Sequence, residues 1–366
     1  MKRLFIFHFR PLEQYPPILN LLWFLEGKVS VNCFSTKGRL KSERFKNDIN
    51  VFRFGLLNSN KLVLWLTYLY FNVSSLVALI VYRPKRVIYI ESLSSFPAVI
   101  YKRFINKKAD VFIHYHEYTS PEEYESASFV EKFCHKGEKM IYNEVAWISH
   151  TNSSRMQKFL LDENLQYDKK RQQVMPNYPS RSWAVQCESW NPKETLKLIY
   201  VGYSLTEEGS YLKELYDELK ELSISIEINI YCIEQNSFMK QFEGQKGKLQ
   251  LNLHPAINYC DLPTELSKHH VGLILYRATT TNYIYNAPNK LFEYLSCGLD
   301  VWFPKEMKGI SSYESSKCPK VIKLDFNDLG LTRLISDKVE NDSQGKEKQE
   351  YFAEEIYEKF FEFINS

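Results

Sequence analysis

Short apolar runs alternate along this chain with longer segments whose apolar positions recur at helical spacing. In the first half the runs are Leu4–Phe7, Val29–Phe34, Val51–Phe54, Val87–Ile90, Val111–His114, Ala146–Ser149 and Gln173–Met175. Each is short and rich in β-branched or aromatic residues, which predicts a buried strand. Pro17 opens the helical segment Ile18–Leu25, where its missing N–H costs nothing. The pattern lapses around Pro176–Trp190, and Pro176-Asn177-Tyr178-Pro179-Ser180 reads as a linker. It then restarts with strands at Leu196–Val201, Ile224–Tyr231, Leu249–Leu253, Val271–Leu275, Val301–Phe303 and Val321–Leu324. Helices are expected at Glu208–Leu222, Leu262–His269 and Asn289–Ser296. A long helix near Lys346–Ile364 closes the chain, with Phe352, Ile356, Phe360 and Ile364 recurring every four residues.

Alternating strands and helices build parallel sheets covered on both faces. The expected organisation is therefore two α/β domains, residues 1–176 and 177–345, and a last helix, 346–366. Ligands of such sheets sit outside the C-terminal strand ends. Two such edges facing each other across a cleft would make a two-substrate site.

The stretch Leu62–Tyr82 carries no charge and is long enough to span a bilayer. It also contains Thr67, Asn72, Ser74 and Ser75 and lies between strand patterns, which favours a buried helix of an α/β domain. Basic residues crowd both sides of it. Lys37, Arg39, Lys41, Arg44 and Lys46 precede it; Arg83, Lys85, Arg86, Lys102, Arg103, Lys107 and Lys108 follow. Aromatic and aliphatic surface beside Lys and Arg suits a peripheral membrane contact, and a solvated basic surface would carry the same residues.

Composition narrows the field. The 366 residues hold 44% hydrophobic and 25% charged residues, an ordinary globular balance. Net charge is only +3, which argues against a nucleic-acid partner. The seven cysteines include no C-x-x-C pair and read as reduced thiols of a cytoplasmic protein. The apolar run Arg3–Phe9 is too short for a signal-peptide core. G-x-G-x-x-G, G-x-x-x-x-G-K-[ST] and G-x-S-x-G are all missing, which disfavours dinucleotide enzymes, P-loop ATPases and serine hydrolases. No D-x-D motif appears, so no metal and no cofactor are expected.

The segment Asn282–Trp302 carries the most chemistry. Pro288 and Asn289 mark a helix start and Gly298 a stop. A helix N-terminus offers free N–H groups and partial positive charge, which suit a diphosphate. Lys290 opposes the helix dipole, and a bound anion would rationalise it. Glu293, one turn on, could accept from ribose hydroxyls. A capped surface helix with a chance Lys and Glu is the plain competing reading. Other candidates follow strands. His116 and Glu117 lie at the end of the fifth strand and are candidate catalytic residues. Arg10, Glu13 and Gln14 lie after the first, where Glu13 is a candidate base and the other two could bind an acceptor. Arg277 follows Val271–Leu275 and could meet phosphate.

The run Pro288-Asn289-Lys290-Leu291-Phe292-Glu293-Tyr294-Leu295-Ser296-Cys297-Gly298 resembles the nucleotide-sugar signature of GT-B glycosyltransferases related to family 4. Leu198-Ile199-Tyr200-Val201-Gly202 resembles the first strand and glycine of that family's C-terminal domain, and Val174-Met175-Pro176-Asn177 the residues before its interdomain linker. The resemblance covers nearly the whole chain. It implies two Rossmann-like domains and a last helix that crosses back to the first domain. It also implies that Glu293 holds the nucleotide ribose, that Lys290, Asn289 and Gly202 serve the diphosphate, and that His116 contacts the donor sugar. Two departures stand out. Tyr285 occupies the position of the family's first glutamate, and Tyr203 with Glu207-Glu208-Gly209 replaces its usual basic pair. Phosphate charge would then rest on Lys290, the helix amides and Arg277.

The expected function is transfer of a sugar, with retention, from a nucleotide diphosphate sugar to a glycan or lipid-linked glycan. The setting would be surface polysaccharide synthesis in the cytoplasm, at the inner face of the membrane. A nucleotide-sugar epimerase and a catalytically silent scaffold of a polysaccharide assembly are the alternatives.

Overall fold

A computed structural model of the chain describes residues 3–38, 42–57, 60–166, 168–185, 190–191, 193–331, 335 and 351–365. Arg39 and Lys41 of the basic set, residues 186–189 after the linker, and 346–350 at the start of the expected last helix lie outside these. The chain forms two compact units, Met1–Asn177 with Ala353–Ser366, and Tyr178–Phe352.

The first unit is built on seven parallel strands: β1 (Arg3–Phe7), β2 (Ser30–Lys37), β3 (Ile49–Leu56), β4 (Arg86–Ile90), β5 (Asp110–Tyr115), β6 (Trp147–His150) and β7 (Gln172–Val174). Their order is β3-β2-β1-β4-β5-β6-β7. Leu4 to Phe7 of β1 and all of β4 are buried. Strands covered on both faces need side chains that are apolar on both faces, which is why the sequence shows unbroken runs there and not alternation. The chain grows outward from β1 in one direction and then restarts at β4 on the other side, so the order reverses between β1 and β4.

The second unit has β8 (Leu196–Gly202), β9 (Ile226–Cys232), β10 (Gly244–Lys246), β11 (Leu249–Pro255), β12 (Val271–Leu273), β13 (Asp300–Pro304) and β14 (Val321–Leu324). Their order is β10-β11-β9-β8-β12-β13-β14, and only β10 runs antiparallel. Its reversal falls between β8 and β12. The sequence reading lacks β10, a three-residue hairpin arm whose Gly-Gln-Lys has no apolar signal.

The closing helix Ala353–Asn365 packs on the first unit. Tyr357 donates its hydroxyl proton to the Pro17 carbonyl at 2.7 Å, and Phe360 meets Phe112 and Trp147. Its buried stripe is Ala353, Tyr357, Phe360 and Ile364. This is not the strict fourfold repeat from Phe352, because a helix of 3.6 residues per turn alternates steps of four and three.

The helix Lys61–Tyr82 connects β3 to β4, and only 28% of its most apolar window is buried. The expectation of a buried helix is corrected here. Its polar Thr67, Asn72 and Ser75 face inward beside Phe71 and Leu79, and most of its aliphatic side chains face out. Asn72 Nδ2 meets its need within the helix, donating to the Tyr68 carbonyl at 2.8 Å. Two of the basic residues that flank the helix also turn inward. Arg86 is buried and bonds Asn365, and Lys102 donates to the carbonyls of Lys107 and Ala109 at 2.8 and 2.9 Å.

Candidate functional site

In the second unit the strand order reverses beside the helix Asn289–Ser296. Pro288 caps its N-terminus with extended backbone and no side-chain bond, so the first-turn N–H groups have no side-chain acceptor there. Asn289 is thus the first helical residue, not the cap. At the other end Gly298 takes a left-handed φ of 79°. Its N–H bonds the Leu295 carbonyl and the Leu299 N–H bonds the Tyr294 carbonyl, the pattern a C-terminal glycine permits. The helix lies unusually close to β12. A Cβ on Gly272 would stand 2.2 Å from the Tyr294 ring. The Tyr294 hydroxyl accepts from the Val201 N–H at 3.1 Å, tying the helix to β8 as well.

This seating buries Lys290 and Glu293. The Lys290 ammonium donates to the Tyr276 hydroxyl and lies 4.8 Å and 4.6 Å from the ring centres of Tyr200 and Tyr276. Aromatic faces attract a cation without neutralising it. Among the described residues no carboxylate pairs with this ammonium. Glu293 is 6% exposed and has no hydrogen-bond partner among the described residues. Burial pushes its carboxyl up to about 7, while Lys290 pulls the other way. The unit therefore holds a cation and a carboxyl one helical turn apart: the ammonium is held by the Tyr276 hydroxyl and two ring faces and by no carboxylate, and the carboxyl by no hydrogen bond, among the described residues.

The remaining candidates of this unit stand apart from that pair. Arg277 pairs with Glu214, donates to the Glu207 carbonyl at 3.1 Å and covers the Tyr211 ring. A phosphate would have to compete with all three, so Arg277 reads as a brace of its own loop. Tyr285 ends the short helix Thr281–Ile284, half-buried. Gly202 ends β8, and a Cβ there would meet the Tyr200 hydroxyl at 2.5 Å. Its lack of a side chain makes room for Tyr200, a function the sequence reading assigned to a diphosphate.

In the first unit the reversal between β1 and β4 gathers the loops after β1, β4 and β5. His116 is buried and bonds Asn177 Oδ1 through Nδ1 at 3.1 Å. With that oxygen as acceptor the proton sits on Nδ1, and Nε2, buried and without a partner among the described residues, presents a lone pair. Burial lowers His116 to about 4, so the ring is neutral at pH 7. Glu117 beside it is exposed.

Glu91, which follows β4, is absent from the sequence reading. It holds a non-glycine φ of 66°, and its Oε1 accepts from the backbone N–H groups of His116 and Glu117 at 2.6 and 3.0 Å. Such a backbone costs about 1–3 kcal/mol and persists only where the surroundings enforce it. Desolvation and the neighbouring Glu117 push its carboxyl up to about 8. An acidic residue directly after an apolar strand at the reversal was the signal available for it.

The loop after β1 divides. Arg10 and Gln14 are exposed. Glu13 is buried, ion-paired to Arg53 at 2.6 Å, and accepts from the Glu43 N–H at 3.1 Å. A general base must offer a lone pair to substrate, so the structure moves Glu13 from candidate base to anchor of the loop.

No family model matches the chain and no curated protein matches it. Solved structures do. The sucrose-phosphate synthase of Thermosynechococcus elongatus superposes with a TM-score of 0.70 at 11% identity, covering 100% of this chain and 98% of that one. The lipopolysaccharide outer core galactosyltransferase WaaB gives 0.65 at 15%, covering 100% and 99%. HepE of Anabaena, solved with UDP-glucose, gives 0.66 at 12%, covering 100% and 99%. The chain has the GT-B fold. In open parallel sheets ligands sit where the strand order reverses, and Lys290 with Glu293, and His116 with Glu91, stand beside the two reversals, which makes them the candidate site residues.

Proposed function

We propose that this protein is a glycosyltransferase of the family 4 type that moves a sugar from a nucleotide diphosphate sugar to a hydroxyl of a glycan or lipid-linked glycan. The single observation that carries the reading is Glu293, a carboxyl on a buried helix face with no hydrogen-bond partner among the described residues, one turn from a buried Lys290 that no carboxylate neutralises there, at an open helix N-terminus. Two adjacent ribose hydroxyls would satisfy the first, and a diphosphate the second. HepE was solved with UDP-glucose and with UDP and glucose, which supports a UDP-sugar donor.

The bond between the sugar C1 and the diphosphate oxygen breaks, and the acceptor oxygen forms the new bond to C1. The acceptor proton passes to a diphosphate oxygen on the same face, which retains configuration and needs no protein nucleophile. Lys290 and the helix N–H groups meet the negative charge that grows on the leaving diphosphate, so the chain itself supplies the cation and the reaction is metal-independent. His116, neutral, accepts from a sugar hydroxyl through Nε2. Arg10, Gln14 and Glu117, exposed on the loops after β1 and β5, contact the acceptor. The setting is surface polysaccharide synthesis on the cytoplasmic side.

Lys290→Ala tests the assignment. Donor turnover should fall by at least about a hundredfold with the melting temperature nearly unchanged. Turnover equal to wild type would overturn it. Incubation with donor alone separates transfer from epimerisation, since only an epimerase would isomerise the sugar.

A further inference from the structure

The helix Lys61–Tyr82 is amphipathic in the inverted sense. Thr67, Asn72 and Ser75 face the protein, while Leu62, Leu66, Leu69, Val73, Val77 and Ile80 run at steps of three and four along its outer side, each between 44% and 65% exposed. Trp65 and Tyr70 add exposed aromatic surface beside that stripe. A helix that meets water puts its polar residues outward; this one is patterned for an apolar medium outside and a protein inside. Exposed apolar surface continues beyond it. Tyr68 contacts Cys134 at 3.0 Å on the helix Phe129–Lys139, whose Phe129 and Phe133 are exposed.

Charge selects the occupant. Lys61 begins the helix and Arg83 ends it in left-handed conformation. The turn Arg83–Lys85 and the segment Lys107–Ala109 then meet where β4 and β5 start. Tyr101 donates to the Pro84 carbonyl at 2.9 Å, and the Asp110 N–H bonds the Lys85 carbonyl at 2.8 Å. Lys107 and Lys108 are exposed there, and among the described residues no carboxylate pairs with Lys61, Arg83, Lys107 or Lys108. A long uncharged apolar stripe bracketed by unpaired cations matches an anionic lipid surface, in which acyl chains and headgroup phosphates lie at adjacent depths.

We infer that the outer face of Lys61–Tyr82 docks the protein on an anionic phospholipid bilayer, with the helix lying in the plane of the interface. Spanning is ruled out by connectivity. The helix joins two strands of one sheet, and Phe71 and Leu79 are seated in that sheet's core. It starts after β3 and runs back to the start of β4, so Leu62 and Leu66 lie toward the strand ends that carry His116 and Glu91. A lipid-linked acceptor would thus meet the site from the membrane. That last clause rests on the proposed transfer; the docking itself does not.

The test is flotation of the purified full chain with vesicles of phosphatidylcholine, and with vesicles of equal parts phosphatidylcholine and phosphatidylglycerol. Light scattering of the lipid-free protein and donor turnover are measured beside it. Wild type should float with anionic vesicles and several-fold less with neutral ones, and added salt should release it. Leu66→Asp with Val73→Asp should reduce the bound fraction on the order of tenfold, because two side chains that would enter the acyl region become charged. Lys107→Glu with Lys108→Glu should remove the preference for anionic vesicles and keep the weaker neutral binding. Thermal melts of both variants should overlie wild type, since all four side chains are exposed. Three results would each overturn the inference. Wild type fails to float with either vesicle, the Asp variant floats as well as wild type, or lipid-free protein is a dimer that the Asp variant splits, which assigns the face to a second copy. Flotation without turnover would leave docking standing and remove the transfer reading alone.

Discussion

Replacing Glu293 by Gln should make the protein more stable and less able to bind its donor, and pH should separate the two effects. The Glu293 carboxyl is buried without a partner, and its burial raises it from 4.5 to about 7. In the unfolded chain it ionises at its ordinary value. Below pH 4.5 both states are protonated and the group is neutral to stability. As pH rises from 4.5 to 7 the unfolded chain ionises first, so the folded state loses ground, and above 7 the loss is complete. One pH unit is worth 1.36 kcal/mol, so the cost above pH 7 is about 3 kcal/mol. Gln fills the same space without a charge. Glu293→Gln should therefore raise the melting temperature of the second unit by roughly 6–12 °C at pH 8 and by almost nothing at pH 4.5. UDP binding should move the other way. A carboxylate accepting two ribose hydroxyls must be ionised, so UDP affinity of the wild type should rise toward pH 7.5, by up to about tenfold per pH unit. That rise should vanish in the variant. The assays are calorimetric melts and isothermal titration with UDP at matched pH values. Equal stability gains at both pH values, or UDP affinity unaltered by the substitution, would refute the claim that this carboxyl is held without a partner for a ribose.

Two further substitutions probe the first unit. Glu13→Gln should cost about 1–3 kcal/mol in urea unfolding, because it leaves the half-buried Arg53 guanidinium without its charge partner, while turnover per folded molecule stays near wild type; a base would lose its activity instead. Asn177→Ala removes the acceptor that fixes the His116 tautomer, so turnover should fall about tenfold or more with the melt little changed. In the wild type, whose His116 titrates near 4, the turnover profile should show no histidine limb between pH 6 and 8.

The fold was legible because parallel strands buried on both faces leave unbroken apolar runs, and these locate thirteen of the fourteen strands among the described residues. The missing one, β10, pairs at the sheet edge through Gly244, Gln245 and Lys246, where backbone bonds suffice and no side chain need be apolar. The helix carrying Lys290 was readable from Pro288 to Gly298 because helix ends depend on local chemistry. What Lys290 and Glu293 lack was not readable, since the absence of a partner is a property of everything packed around them. Arg277 and Glu13 show the converse. Each looked available in the sequence, and each is engaged by a residue far along the chain, Glu214 and Arg53. For Glu91 the sequence offers only an acidic residue after an apolar strand; what sets it apart, a backbone angle and two amide bonds, leaves no pattern in residue types.

The helix Lys61–Tyr82 shows where periodicity itself runs out. Its spacing separates a polar stripe from an apolar one, yet spacing carries no sign: nothing in it says which stripe faces the sheet. The usual assumption, apolar inward, makes Thr67, Asn72 and Ser75 surface residues of a buried helix. The structure assigns the sign through close approach. Gly55, with φ of 63°, lies so near Thr67 that a Cβ would stand 2.7 Å from its side chain. A helix that approaches an adjoining strand this tightly favours a small side chain at the contact, and here it is Thr67. Phe71 and Leu79 still reach the core, while most of the other large apolar residues lie outside, where water is a poor solvent for them. Inversion at the inner face and an apolar partner at the outer face are thus one requirement seen from two sides. The stripe from Leu62 to Ile80 is as much a consequence of how β3 and the helix fit as of what lies beyond it.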